Sequence, residues 1–117
     1  MSYFKDGEFD CPCGCGLGLK DFRSLSIGRL KQAREIANVP FILNSAMRCR
    51  SHNNAVGGSE NSAHLRGAFD IKADNSKVRF TIVKALITAG FKRIGIGKTF
   101  IHADDDYTLP DDVIWLY

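Results

Sequence analysis

The chain has 117 residues, 44% of them hydrophobic and 25% charged, and a formal net charge of +3 at pH 7. That is enough for about one domain with its own core, and the composition is that of an ordinary globular protein. No block of Lys and Arg with interleaved aromatic residues argues for nucleic acid, and no apolar run approaches the roughly 20 residues that span a bilayer.

Taken in chain order, residues 1–23 read as an irregular, cysteine-rich lead-in to a single domain spanning 1–117. They contain no apolar segment of the kind that directs secretion, so synthesis in the cytoplasm is the expectation. Phe4 and Phe9 read as anchors, and Cys11-Pro12-Cys13-Gly14-Cys15-Gly16 as loop or tight turns. A helix is predicted from Ser24 or Ser26, either of which could cap it, to about Ala37, with Ile27, Leu30, Ala33, Ile36 and Ala37 at helical spacing. Val39-Pro40 ends that pattern, and Phe41-Ile42-Leu43 reads as a short buried strand.

The next stretch is rich in Asn, Ser and Gly and poor in large aliphatics, which predicts a long functional loop. Ala68–Ile71 reads as a strand whose alternation turns Phe69 and Ile71 to the core and Asp70 the other way. A second helix is predicted after a cap near Asn75 or Ser76, with Val78, Ile82, Ala85, Leu86 and Ala89 as its buried stripe and Gly90 just past its end. Strands at Lys92–Ile96, Thr99–Ala103 and Val113–Leu116 complete an α+β pattern: two helices on one side of a small, mainly antiparallel sheet. Asp105 and Asp106 read as a solvated turn, and Trp115 and Tyr117 as core or edge residues, with a groove-lining role as the alternative.

Within this pattern lie Ser62-x-His64-x-x-Gly67-Ala68-x-Asp70 and Phe100-x-His102-x-Asp104. Two imidazoles and a carboxylate make a plausible open zinc site, with three protein ligands and a free fourth position. An ion held there would make a water acidic near neutral pH and polarise a carbonyl, so hydrolysis is the leading hypothesis. The plainer alternative is that these groups serve as loop caps and surface polar residues.

The run Ser45-Ala46-Met47-Arg48-Cys49, His52-Asn53, Val56-Gly57-Gly58, Ser62-x-His64-x-x-Gly67, Ala68-x-Asp70 and Phe100-x-His102-x-Asp104 resembles the zinc D-alanyl-D-alanine carboxypeptidase family. Its relatives include cell-wall endopeptidases of phages and bacteria, and it shares its fold with hedgehog signalling domains. Tyr3-Phe4-Lys5 and the Cys-x-Cys-Gly-Cys-Gly segment look like short phage-type members, so the resemblance covers nearly the whole chain.

Carried over residue by residue, the resemblance implies one Zn2+ at His64, Asp70 and His102. It also implies that Arg48 and Ser62 bind a substrate carboxylate or carbonyl, and Arg suits that task because its planar fork matches a carboxylate. For Arg48 the alternative is a brace bonded to backbone carbonyls.

The chain departs from the family pattern twice. His64 and Asp70 stand six positions apart, where the family has seven. A deletion beside Gly67 can be absorbed by the loop, because Ala68-x-Asp70 keeps its alternation. The positions where relatives often place a Glu, Asp or His general base hold Thr99 and Phe100. Asp104, two residues past His102 on the same strand, is then a candidate base or the carboxylate that orients a ligand imidazole; His52 and Glu60 are further candidates.

Cys11, Cys13 and Cys15 cluster in sequence and Cys49 stands alone beside Arg48. Free thiols, a disulfide to Cys49 and a second metal site are the three readings. The function implied by the resemblance is a zinc-dependent peptidase of bacterial peptidoglycan, of carboxypeptidase or endopeptidase (endolysin) type. It would act as a monomer on the stem peptide, in a phage or prophage context, after release or delivery to the wall. The alternative is a non-catalytic cell-wall-binding or phage structural module that retains the fold.

Overall fold

The computed structural model describes residues 3–117. Three helices, α1 (Ser24–Ala37), α2 (Arg50–Ala55) and α3 (Ser76–Ala89), accompany five strands, β1 (Leu43–Ser45), β2 (Phe69–Lys72), β3 (Arg93–Ile96), β4 (Phe100–Asp104) and β5 (Val113–Leu116). The strands form one sheet in the order β1-β2-β4-β3-β5. All neighbours are antiparallel except β3 and β5, which run parallel. This is the expected α+β class. No helix among the described residues is long and apolar enough to cross a membrane.

α3 forms where its signals predict. The Asn75 side chain accepts from the Val78 N–H at 2.9 Å, and the helix ends at Gly90 in the left-handed region. α1 also keeps its predicted bounds, but neither serine caps it. Arg23 occupies the cap position without a side-chain bond, and the Ser26 hydroxyl donates to Asp105 at 2.6 Å. The two helices pack against each other. With the lead-in they cover the sheet face that carries Phe69, Ile71, Ile94, Ile101 and Ala103. Phe4 and Phe9 are buried, as expected of anchors, and Phe22 stacks on Phe69 with ring centroids 5.0 Å apart. Removing such rings from water stabilises the fold by about 1.5–3 kcal/mol each.

Three expectations need correction. The strand predicted at Phe41–Leu43 lies instead at Leu43–Ser45, on the edge of the sheet. Pro40 has no N–H to give a ladder, and pairing starts only where the Lys72 N–H reaches the Ile42 carbonyl at 2.9 Å. The long loop after it is broken by α2 and by a single 3-10 turn at Ala63–Leu65. Composition hid α2 because the cap that starts it is the Cys49 sulfur, which accepts from the His52 N–H at 3.3 Å.

The acidic turn is not solvated. The Asp105 carboxylate is buried against α1, paired with Arg23 at 2.9 Å and Arg29 at 2.8 Å as well as Ser26. Asp106 accepts from both the N–H and hydroxyl of Thr108 and pairs with Arg66. The turn therefore clamps the end of β4 to α1. Asp105→Ala should lower unfolding free energy in urea by about 2 kcal/mol, because it leaves charged and hydroxyl partners unmatched. Asp111→Ala, at an exposed position, should change it little, and equal effects would contradict the clamp.

Candidate metal centre

The register of β2 and β4 sets Asp70 directly opposite His102. Paired residues share a sheet face, so both side chains leave on the side away from the helices, as the alternation of Phe69 and Ile71 requires. His64 reaches the same point from the 3-10 turn, whose start is capped by the Ser62 hydroxyl accepting from the His64 N–H at 3.2 Å. The six-position spacing thus still delivers His64 to Asp70. His64 Nε2 lies 3.2 Å, and His102 Nδ1 3.1 Å, from the same oxygen, Asp70 Oδ1.

The outer nitrogens are fixed by other partners. His64 Nδ1 is 2.6 Å from the Ala46 carbonyl, which can only accept, so Nδ1 carries the hydrogen and Nε2 the lone pair. His102 Nε2 is 2.6 Å from Asp104 Oδ2, while Asp104 Oδ1 accepts from Arg93 at 2.8 Å and from the Asp106 N–H at 3.0 Å. These bonds keep Asp104 an acceptor and place a hydrogen on His102 Nε2, leaving Nδ1 to face Asp70.

These residues fit a divalent metal. His64 Nε2 is fully buried and has no hydrogen-bond partner. A buried lone pair 3.2 Å from a carboxylate oxygen is unfavourable unless a cation or proton lies between them. The donor atoms of His64, Asp70 and His102 lie within 4.8 Å of one another. Bonds of about 2 Å in tetrahedral array would place such atoms about 3.3 Å apart, and neutral imidazole with carboxylate is the donor set of open zinc sites.

The electrostatics favour positive charge between these side chains. Burial alone would raise the Asp70 carboxyl, but the two histidines that face it, His102 foremost, outweigh burial and hold the group well below the usual carboxylate range. Burial alone would lower His102, yet Asp104 and Asp70 pull it above its ordinary value.

The three side chains sit in a cleft of about 310 Å³ that Arg48, Ser62 and Tyr117 help to line. Arg48 donates to the Asn53 side chain at 3.0 Å and to Ser45 Oγ at 3.3 Å, and its Nη2 lies 3.7 Å from Asp70 Oδ2. It is braced by side chains rather than by backbone carbonyls. Ser62 uses its oxygen as a cap and keeps its hydroxyl hydrogen for another partner. Asp104 does not face the cleft: it is fully buried behind His102. His52 and Glu60 do not line it.

Sequence reasoning set aside two residues beside it. Tyr117 lines the cleft and, with Trp115, an adjoining pocket that shares Ser62 and His102 with it; the Trp115 ring is 5.3 Å from the His102 ring. Their signal is Gly95, which pairs with His102 on one side and Trp115 on the other. A Cβ there would lie 2.7 Å from the indole, so only glycine lets the ring lie down beside the histidine.

A family profile described as Peptidase M15 matches residues 2–104. No curated protein matches the chain.

A metal bound at His102 Nδ1 must displace the proton that Asp70 favours there while Asp104 keeps the other on Nε2. Apparent zinc affinity, measured by competition with a chelator of known protonation, should therefore fall about tenfold per pH unit below the raised His102 value. It should level off above that value, and an affinity independent of pH throughout would contradict the arrangement.

Proposed function

Since the chain belongs to the peptidase M15 family, we propose that it is a zinc-dependent peptidase that hydrolyses peptide bonds of bacterial peptidoglycan. The observation that carries this reading is the meeting of His64 Nε2 and His102 Nδ1 on one oxygen of Asp70, at 3.2 and 3.1 Å. Held by these three side chains, zinc supplies a Lewis acid that acidifies a water and polarises a carbonyl.

The rest follows from the chain's own groups. Arg48, braced by Ser45 and Asn53, presents its remaining N–H edge to a carboxylate or to a carbonyl gaining negative charge. Ser62 donates its free hydroxyl hydrogen to a substrate oxygen. Asp104 acts behind the site: it holds the proton on His102 Nε2 and so fixes which nitrogen faces the cleft. Trp115 and Tyr117 give an extended peptide a flat apolar wall. A net charge of +3 suits an anionic polymer.

A non-catalytic wall-binding module is favoured by a single observation: no carboxylate other than Asp70 lines the cleft among the described residues. Zinc analysis with digestion of purified peptidoglycan separates the two readings. The peptidase reading predicts one zinc equivalent that is lost from His64→Ala, and new peptide termini identified by mass. The His64-dependent zinc equivalent without digestion would establish the binding module, and loss of neither property on His64→Ala would contradict both. Arg48→Ala should retain zinc and lose about 100-fold in kcat/KM. Asp104→Asn should weaken zinc binding about 10- to 100-fold, and unchanged affinity would contradict its orienting role.

A further inference from the structure

We propose that Cys11, Cys13, Cys15 and Cys49 form a second metal site, structural in role, that binds zinc through four thiolates. It shares no ligand with the His64, Asp70 and His102 centre and does not depend on the peptidase reading.

The four sulfurs lie within 4.8 Å of one another. Cys13 Sγ is 3.5 Å from Cys11 Sγ and 3.4 Å from Cys49 Sγ, and all four are free thiols. A disulfide would need about 2.05 Å. Four sulfurs bound tetrahedrally at about 2.3 Å would stand about 3.8 Å apart, close to these separations.

Burial does not gather them. Free cysteine behaves as a small apolar residue and is among the most buried types, yet Cys13 and Cys15 are exposed. What gathers them is backbone geometry. Gly14 and Gly16 adopt φ values of 79° and 94°, a region that other residues rarely enter. No atom lies within 4 Å of where their Cβ atoms would be, so conformation rather than space demands glycine here. The turn is closed by the Cys11 N–H on the Leu17 carbonyl at 2.9 Å and the Gly14 N–H on the Cys11 carbonyl at 3.3 Å.

Two backbone N–H groups point at sulfur: Cys49 to Cys11 Sγ at 3.4 Å and His52 to Cys49 Sγ at 3.3 Å. Binding releases the four thiol protons and leaves a doubly negative cluster, whose charge these N–H dipoles partly offset. Exposure of Cys13 and Cys15 leaves the ion a route in.

The consequence is a cross-link between the lead-in and the start of α2, the helix that carries Asn53 and so braces Arg48. The cysteine-rich segment would then hold the cleft's cationic wall in place without touching the substrate.

Cobalt(II) titration of metal-free, reduced protein tests this. The full chain should bind two equivalents. One should bring thiolate-to-cobalt charge transfer in the near ultraviolet and intense visible bands. The Cys13→Ser/Cys15→Ser variant should bind one equivalent without that signature, and His64→Ala should bind one with it.

The zinc-loaded full chain should also shield its thiols from an aromatic disulfide reagent until a chelator is added, a readout that needs no variant. Absence of the charge-transfer band in the full chain, reactive thiols at full zinc loading, or disulfides in the purified protein would overturn the proposal. None of these outcomes touches the His64 equivalent, whose own loss would leave the thiolate signature standing.

Discussion

Asp70 faces His102 across an antiparallel pair, and that register governs both sides of the sheet. Because side chains alternate, the residues flanking Asp70 and His102 must point the other way, where Phe69, Ile71, Ile101 and Ala103 are buried under the helices. A slip of one position would bring the carboxylate and imidazole into the core and expose the apolar set. Burial of the hydrophobic face therefore enforces the meeting of the polar groups. The row extends through Gly95 to Trp115, so one set of paired residues carries the candidate ligand pair, the space beside it and the aromatic wall next to it.

The polar face is held from behind. The Ala46 carbonyl and the Asp104 carboxylate each fix one imidazole nitrogen, so that the remaining two turn toward Asp70. Asp104 can be fully buried because Arg93 and the Asp106 N–H satisfy its other oxygen. Arg93 also lies over the Trp115 ring, 5.1 Å from its centroid. It thus joins the support of His102 to the apolar wall, and Asp105, next in the chain, ties the same strand end to α1.

Much of this was legible in the sequence where one signal dominated. α3 had a cap, an apolar stripe and a terminal glycine in agreement, and β2 had an alternation that assigned each face. The candidate trio of His64, Asp70 and His102 was legible because histidine is scarce in the chain and two of its three copies stand near carboxylates in recognisable motifs.

Illegible parts depended on partners distant in the chain. Asp105 looks like a turn residue until α1 brings Arg23, Arg29 and Ser26 against it. Trp115 looks like an edge residue until its register with Gly95 is known. α2 is capped by a sulfur, which propensity rules for helix starts do not rank, and the orienting position of Asp104 needed the Arg93 contact to be seen. His64 reaches Asp70 from a 3-10 turn that sequence pattern alone could not specify.

The most direct measurement is anomalous diffraction at the zinc absorption edge from crystals of the full chain. A peak should lie about 2.0–2.2 Å from His64 Nε2, His102 Nδ1 and a carboxylate oxygen of Asp70, with His102 Nε2 still on Asp104. No peak between these three side chains at full zinc loading, or one bonded through His102 Nε2 instead, would contradict the arrangement from which every other step proceeds.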